Sequence, residues 1–174
     1  MTTIYDFVQK HGGNVNRRDY GAVKLRDGNL VRHVLPDGAF YYEDRQGVWM
    51  HDCPPGLDGL ELRRQYHEAM LEPAEKDFHA LKRALLDGGD AFPWDVSRYG
   101  PDPQDEVKAL QTVRDVVLHH RKVLEEIEAA IEADPVMKAQ RDKEREELRR
   151  REEAKRQADA YREKQRQAIR EISI

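Results

Sequence analysis

Seven histidines are the residues of this 174-residue sequence best suited to chemistry near neutral pH. Imidazole titrates there without help and is also a common transition-metal ligand. Their spacing argues against either use. His119 and His120 are adjacent. On a helix adjacent side chains point about 100° apart, so the two are not expected to share an ion. Glu75 and His79 stand at i, i+4, a ligand-compatible spacing, without the paired His-Glu-x-x-His of a zinc protease. His51-Asp52-Cys53 offers three ligand types on consecutive residues, which rarely chelate one ion. No metal or cofactor is expected. Nucleophilic chemistry fares no better. Cys53 is too close in sequence to His51 to form a nucleophile–base pair, and serine occurs only as Ser97 and Ser173. There is no phosphate-binding Gly-Lys-Ser/Thr loop and no Gly-x-Ser-x-Gly elbow. The expectation is a protein that is not an enzyme and takes no small-molecule substrate.

Recognition chemistry is better represented. Leu110, Val113, Val117, His120, Leu124, Ile127 and Ile131 recur at alternating spacings of three and four, with Val107 just before them. That is a heptad seam of about three heptads, suited to helix–helix association within the chain or between copies. His120 puts a polar group on the seam, where it would set register. A second candidate is an aromatic row, His33, Tyr42 and Trp49 with Phe40 and His51 beside it, which could stack bases or grip a peptide. The expectation is that one of the chain's helices covers it. The third is basic: Arg149, Arg150, Arg151, Lys155 and Arg156 could follow a phosphate backbone, although interleaved glutamates dilute their field.

The elements that must position these groups can be read from turn signals and periodicity. Asp27-Gly28, Pro36-Asp37-Gly38 and Asp44-Arg45-Gln46-Gly47 separate four runs that alternate or are rich in β-formers. They predict an antiparallel meander with strands at 22–26, 29–35, 39–43 and 48–52. Two-residue loops at the first two turns would pair Leu25 with Leu30, Leu35 with Phe40 and His33 with Tyr42. The third turn would pair Tyr42 with Trp49 and Phe40 with His51. The stretch from Asp27-Gly28 through Pro36-Asp37-Gly38 to Tyr41-Tyr42 resembles the Asp-Gly hairpin repeats of large β-shell proteins. It spans about 25 residues and occurs once, and the likeness implies hairpins and nothing further.

Helical signals surround the meander. Ile4, Phe7, Val8 and His11 form one stripe, with Thr2 or Thr3 as cap and Gly12-Gly13 as stop. Residues 57–71 and 73–87 read as two short helices divided by Pro73, with His67 on the apolar stripe of the first. An aromatic Gly/Pro linker follows at 88–102, with Phe92, Trp94 and Tyr99 expected to lie against the body or a partner. Asp102 and Pro103 would start the heptad helix at 103–134. Asp134 would cap a further helix from Pro135, which carries no Gly or Pro from 136 to 172. Glu146/Arg150, Glu147/Arg151 and Glu152/Arg156 are acid-before-base pairs along it. The organisation is therefore α+β: a body at 1–102, the heptad helix at 103–134 and a charged helical arm at 135–174.

Charge is distributed unevenly along that plan. Residues 138–171 hold 13 Lys/Arg and 9 Asp/Glu, a balance of +4, while the rest of the chain carries −8. A pI near 6.0 argues against a dedicated nucleic-acid binder but leaves local contacts by the arm possible in principle. No run approaches the ~18–20 apolar residues of a membrane span. The first residues lack a basic start and an apolar core, and the last five, REISI, carry no lipidation motif. With one cysteine, a reducing, cytoplasmic compartment is expected. The function expected is that of a structural or adaptor subunit working through protein partners or self-association; the alternative is a nucleic-acid-associated accessory protein.

Overall fold

The computed structural model describes residues 3–87 and 106–171. The aromatic linker at 88–102 and the start expected at Asp102-Pro103 lie outside them. The described elements are α1 (Ile4–Lys10), β1 (Val23–Asp27), β2 (Leu30–Val34), β3 (Phe40–Asp44), β4 (Gly47–His51), α2 (Leu57–Leu86), α3 (Glu106–Ala133) and α4 (Pro135–Glu171). The four strands form an antiparallel sheet in the order β1-β2-β3-β4, and the fold is α+β. Contacts divide the chain into two units, Met1–Ile131 and Glu132–Ile174.

The first unit is built in layers around the sheet. α1 opens on a capping box: the Thr3 hydroxyl accepts from the Asp6 amide, and the Asp6 carboxylate accepts from the Thr3 amide. Its Phe7 and Val8 bury one sheet face, packing with Leu35, Ala39 and Tyr41. On the opposite face Val34 packs with Leu62 and Tyr66 of α2, flanked by Val23, Leu25, Phe40 and Met70. The Tyr66 hydroxyl donates to the Gly21 carbonyl at 3.2 Å, which satisfies a buried polar group and ties α2 to the chain entering β1.

Two of the three hairpin registers differ from expectation. β1 and β2 pair Asp27 with Leu30 and Leu25 with Arg32. This shift by two residues leaves every side chain on its expected face. Between β2 and β3 the shift is by one: Val34 pairs with Phe40, His33 with Tyr41 and Arg32 with Tyr42. The reason is the loop. Pro36 has no amide hydrogen to give to a ladder, so the turn widens to Leu35–Ala39. It is closed by the Leu35 amide donating to the Ala39 carbonyl at 2.8 Å and the Gly38 amide donating to the Leu35 carbonyl at 3.0 Å. Asp37 Oδ1 accepts from the Ala39 amide at 2.9 Å. Gly38 takes φ +91°, a conformation that favours glycine. β3 and β4 pair as expected, Tyr42 with Trp49 and Phe40 with His51.

α2 also departs from the reading of two short helices. It is one 30-residue helix with Pro73 inside it. An internal proline forfeits one backbone bond, a cost of about 3 kcal/mol. Contacts with α3 on both sides of Pro73 offset this. His67 meets His120 before it. After it, Leu81 forms a core with Ala109 and Val113, flanked by Phe78, Leu85 and Leu110. The two helices run antiparallel.

In the second unit, Asp134 caps α4 as expected, its Oδ1 accepting from the Val136 and Met137 amides at 2.8 and 3.2 Å. Glu132 pairs with Lys138 at 2.6 Å and with Arg141, which is buried. From Asp142 onward every described side chain of α4 is exposed. Among the described residues, no helix is long and apolar enough to cross a membrane.

Candidate functional site

The most concentrated chemistry of the first unit lies where α2 and α3 face each other. His67 and His120 are both buried, at 3% and 6% exposure, and His119 beside them is exposed. Each sits there for a sequence reason. His67 belongs to the apolar stripe of α2, and His120 to the heptad seam of α3. The seam turns inward onto α2, so two polar positions on two buried stripes meet.

Hydrogen bonding fixes the tautomers. The Pro36 carbonyl can only accept, so His67 Nε2 carries the proton donated to it at 3.2 Å. His67 Nδ1 is then a bare lone pair. It lies 2.7 Å from His120 Nδ1, which donates to it. The widened turn after β2, α2 and α3 are thus joined through one imidazole. Burial, and then the neighbouring His120, push the His67 pKa down to about 4. Burial, and then His119, push His120 down to about 4 as well. Both rings are neutral at pH 7 and keep lone pairs for coordination. One ligand atom from each of His67, His119 and His120 can be chosen so that all three lie within 4.8 Å of one another. Adjacency on one helix argues against His119 and His120 sharing an ion, yet their ring centroids lie 5.3 Å apart, and His67 reaches both rings from α2 at 5.9 and 5.0 Å. The signal for it was present in the sequence as two histidines on buried stripes of successive helices.

The other expected groups fall as follows. Val113, Val117, His120, Ile127 and Ile131 of the seam are buried, and Leu110 and Leu124 are half-buried. The seam's central contacts are spent inside the chain on α2, while Val107 is 61% exposed and stands off it. The aromatic row does not survive as one surface. The one-residue shift at Leu35–Ala39 leaves His33 on the α1 side, stacked on Tyr41 with centroids 4.6 Å apart. Phe40, Tyr42, Trp49 and His51 lie together on the α2 side. There Phe40 packs toward the Val34–Leu62–Tyr66 core and stacks on His51 at 4.9 Å. Tyr42 accepts from Arg32 Nε at 3.2 Å, and Trp49 donates to Asp44 at 3.1 Å.

Of the three acid-before-base pairs on α4, Glu146–Arg150 closes, at 2.6 Å. Among the described residues, Arg149, Arg151, Lys155 and Arg156 have no ion pair. At about 100° per residue, Arg149 and Arg156 share one side of the helix, and Arg151 and Lys155 lie about 130° around from it. A separate anionic cluster surrounds buried His11, whose Nδ1 is 2.5 Å from Asp37 and whose Nε2 is 3.1 Å from Asp52. Cys53 lies nearby as a thiol whose pKa burial, and then Asp37, raise, the reverse of what a nucleophile needs.

Comparison with protein-family models, with curated proteins and with solved structures gives no match.

Proposed function

We propose that this chain is a non-enzymatic structural or adaptor subunit, and that α4 is its docking element, pairing with the α4 of a second copy. The observation that carries this reading is a 37-residue helix whose described side chains are exposed from Asp142 to its end. Ion pairs on such a helix add only about 0.3–0.5 kcal/mol each. Good intrinsic helix formers make it possible, and an apolar contact makes it stable. Val136, Leu148, Tyr161 and Ile169 are 75%, 57%, 63% and 68% exposed. At about 100° per residue these four fall within about 140° of arc, one side of the helix. Interleaved charges of both signs suit a partner patterned the same way, and a second α4 is such a partner. The heptad seam, turned inward, serves this role by holding α3 on α2. A cytoplasmic location, expected from the single cysteine, belongs to the same proposal.

Light scattering on the full chain tests it. A dimer is expected, and Leu148→Asp with Ile169→Asp is expected to give a monomer with less helicity from α4 and an unchanged melting transition of the Met1–Ile131 unit. A wild-type monomer, or an unaffected oligomer in the variant, would overturn α4 pairing.

A second reading, association with nucleic acid, draws on the unpaired cations Arg149, Arg151, Lys155 and Arg156. Their division between two sides of the helix about 130° apart allows about two phosphate contacts at once, which predicts a shallow salt dependence and weak binding. The apolar arc has no role in that reading, so protein assembly is favoured.

A further inference from the structure

We propose that His67, His119 and His120 form a binding site for a divalent first-row transition metal, zinc foremost, with a fourth position open to water. The donor set is three imidazoles from two helices, the ligand type that suits zinc, copper, nickel and cobalt. The second shell is already in place: a metal-bound histidine normally donates its other ring N–H to a carbonyl or carboxylate, and His67 Nε2 does so to Pro36. This bond aims the His67 Nδ1 lone pair at the space shared with His120.

The distances fit with small ring rotations. Bonds of about 2.0–2.1 Å to a tetrahedral ion set neighbouring donors about 3.4 Å apart. The closest pair here is 2.7 Å apart, and all three donors lie within 4.8 Å. When an ion enters, the proton on His120 Nδ1 relocates to His120 Nε2, so both facing nitrogens become ligands without net proton loss. The His119 ring already meets those of His67 and His120, at 5.9 and 5.3 Å between centroids, and because His119 is exposed solvent can reach the fourth position. Three protein ligands with an open position describe a site able to bind an exchangeable ligand. The site lies wholly within the Met1–Ile131 unit and does not depend on the docking role of α4.

The test uses the untagged full chain stripped with a chelator. Titration with Co²⁺ is expected to give visible absorption bands of four-coordinate cobalt that saturate at one equivalent and vanish on adding Zn²⁺. His119→Ala is expected to leave the metal-free melting temperature unchanged and to weaken Zn²⁺ binding by about tenfold or more. His79→Ala, on the same pair of helices but away from the cluster, is expected to bind as wild type. Absence of cobalt bands would overturn the site. So would a Zn²⁺ affinity that His119→Ala leaves unchanged, or that both variants reduce equally.

Discussion

Gly59 illustrates how a single position can invert a local preference. It lies in the first turns of α2, where alanine is normally the better helix former by about 1 kcal/mol. Here an added Cβ would come within 2.0 Å of the Pro54 carbonyl oxygen and 2.8 Å of Cys53 Sγ. Backbone atoms cannot yield as a flexible side chain does. Gly59→Ala is therefore expected to destabilise the protein by more than about 1 kcal/mol, the propensity gain notwithstanding. A urea midpoint equal to or above wild type would contradict the close packing of α2 on the chain after β4. The His67–His120 pair carries a second residue-scale expectation. Both native pKa values are lowered to about 4, against about 6.5 in an unfolded chain. As pH falls below 6.5 the unfolded state takes up protons first, so stability is greatest above that value and declines toward pH 4. In the presence of a chelator, a His67→Gln/His120→Gln double variant should show a flatter decline across this window. An identical slope would place the pH dependence elsewhere.

At the scale of elements, what the sequence discloses depends on how local its cause is. Asp-Gly turns and alternating runs act within a few residues, and the four strands, their order and the Tyr42–Trp49 register follow from them. The β2–β3 register turned on whether Leu35 and Ala39 join the ladder or the loop, a choice made by Pro36 and the Asp37 side chain together. One residue there decided which face carries Phe40 and Tyr42. Pro73 reads locally as a boundary, and only contacts with α3 on both sides of it make α2 continuous. The meeting of His67 with His120, 53 positions apart in sequence, depends on the relative register of two helices, which no local pattern states. Pro73→Ala should restore a backbone donor and raise stability by up to about 3 kcal/mol, measured by urea denaturation. A loss of stability would mean that α2 needs the proline's shape to keep both sets of α3 contacts.

For the whole molecule, the division of labour follows composition. Apolar residues are concentrated where α1, the sheet, α2 and α3 bury them, and residues 138–171 hold 13 cations and 9 anions on a helix without a core of its own. The inward turn of the heptad seam means that assembly, as proposed here, rests on α4 and its exposed apolar arc. The most direct test is sedimentation equilibrium of the full chain at low and high salt, with and without generic double-stranded DNA. A dimer that persists at high salt and is unchanged by DNA is expected, because its contacts are apolar and its charges are of both signs. A monomer in both salts, or a mass that rises only with DNA at low salt, would contradict it.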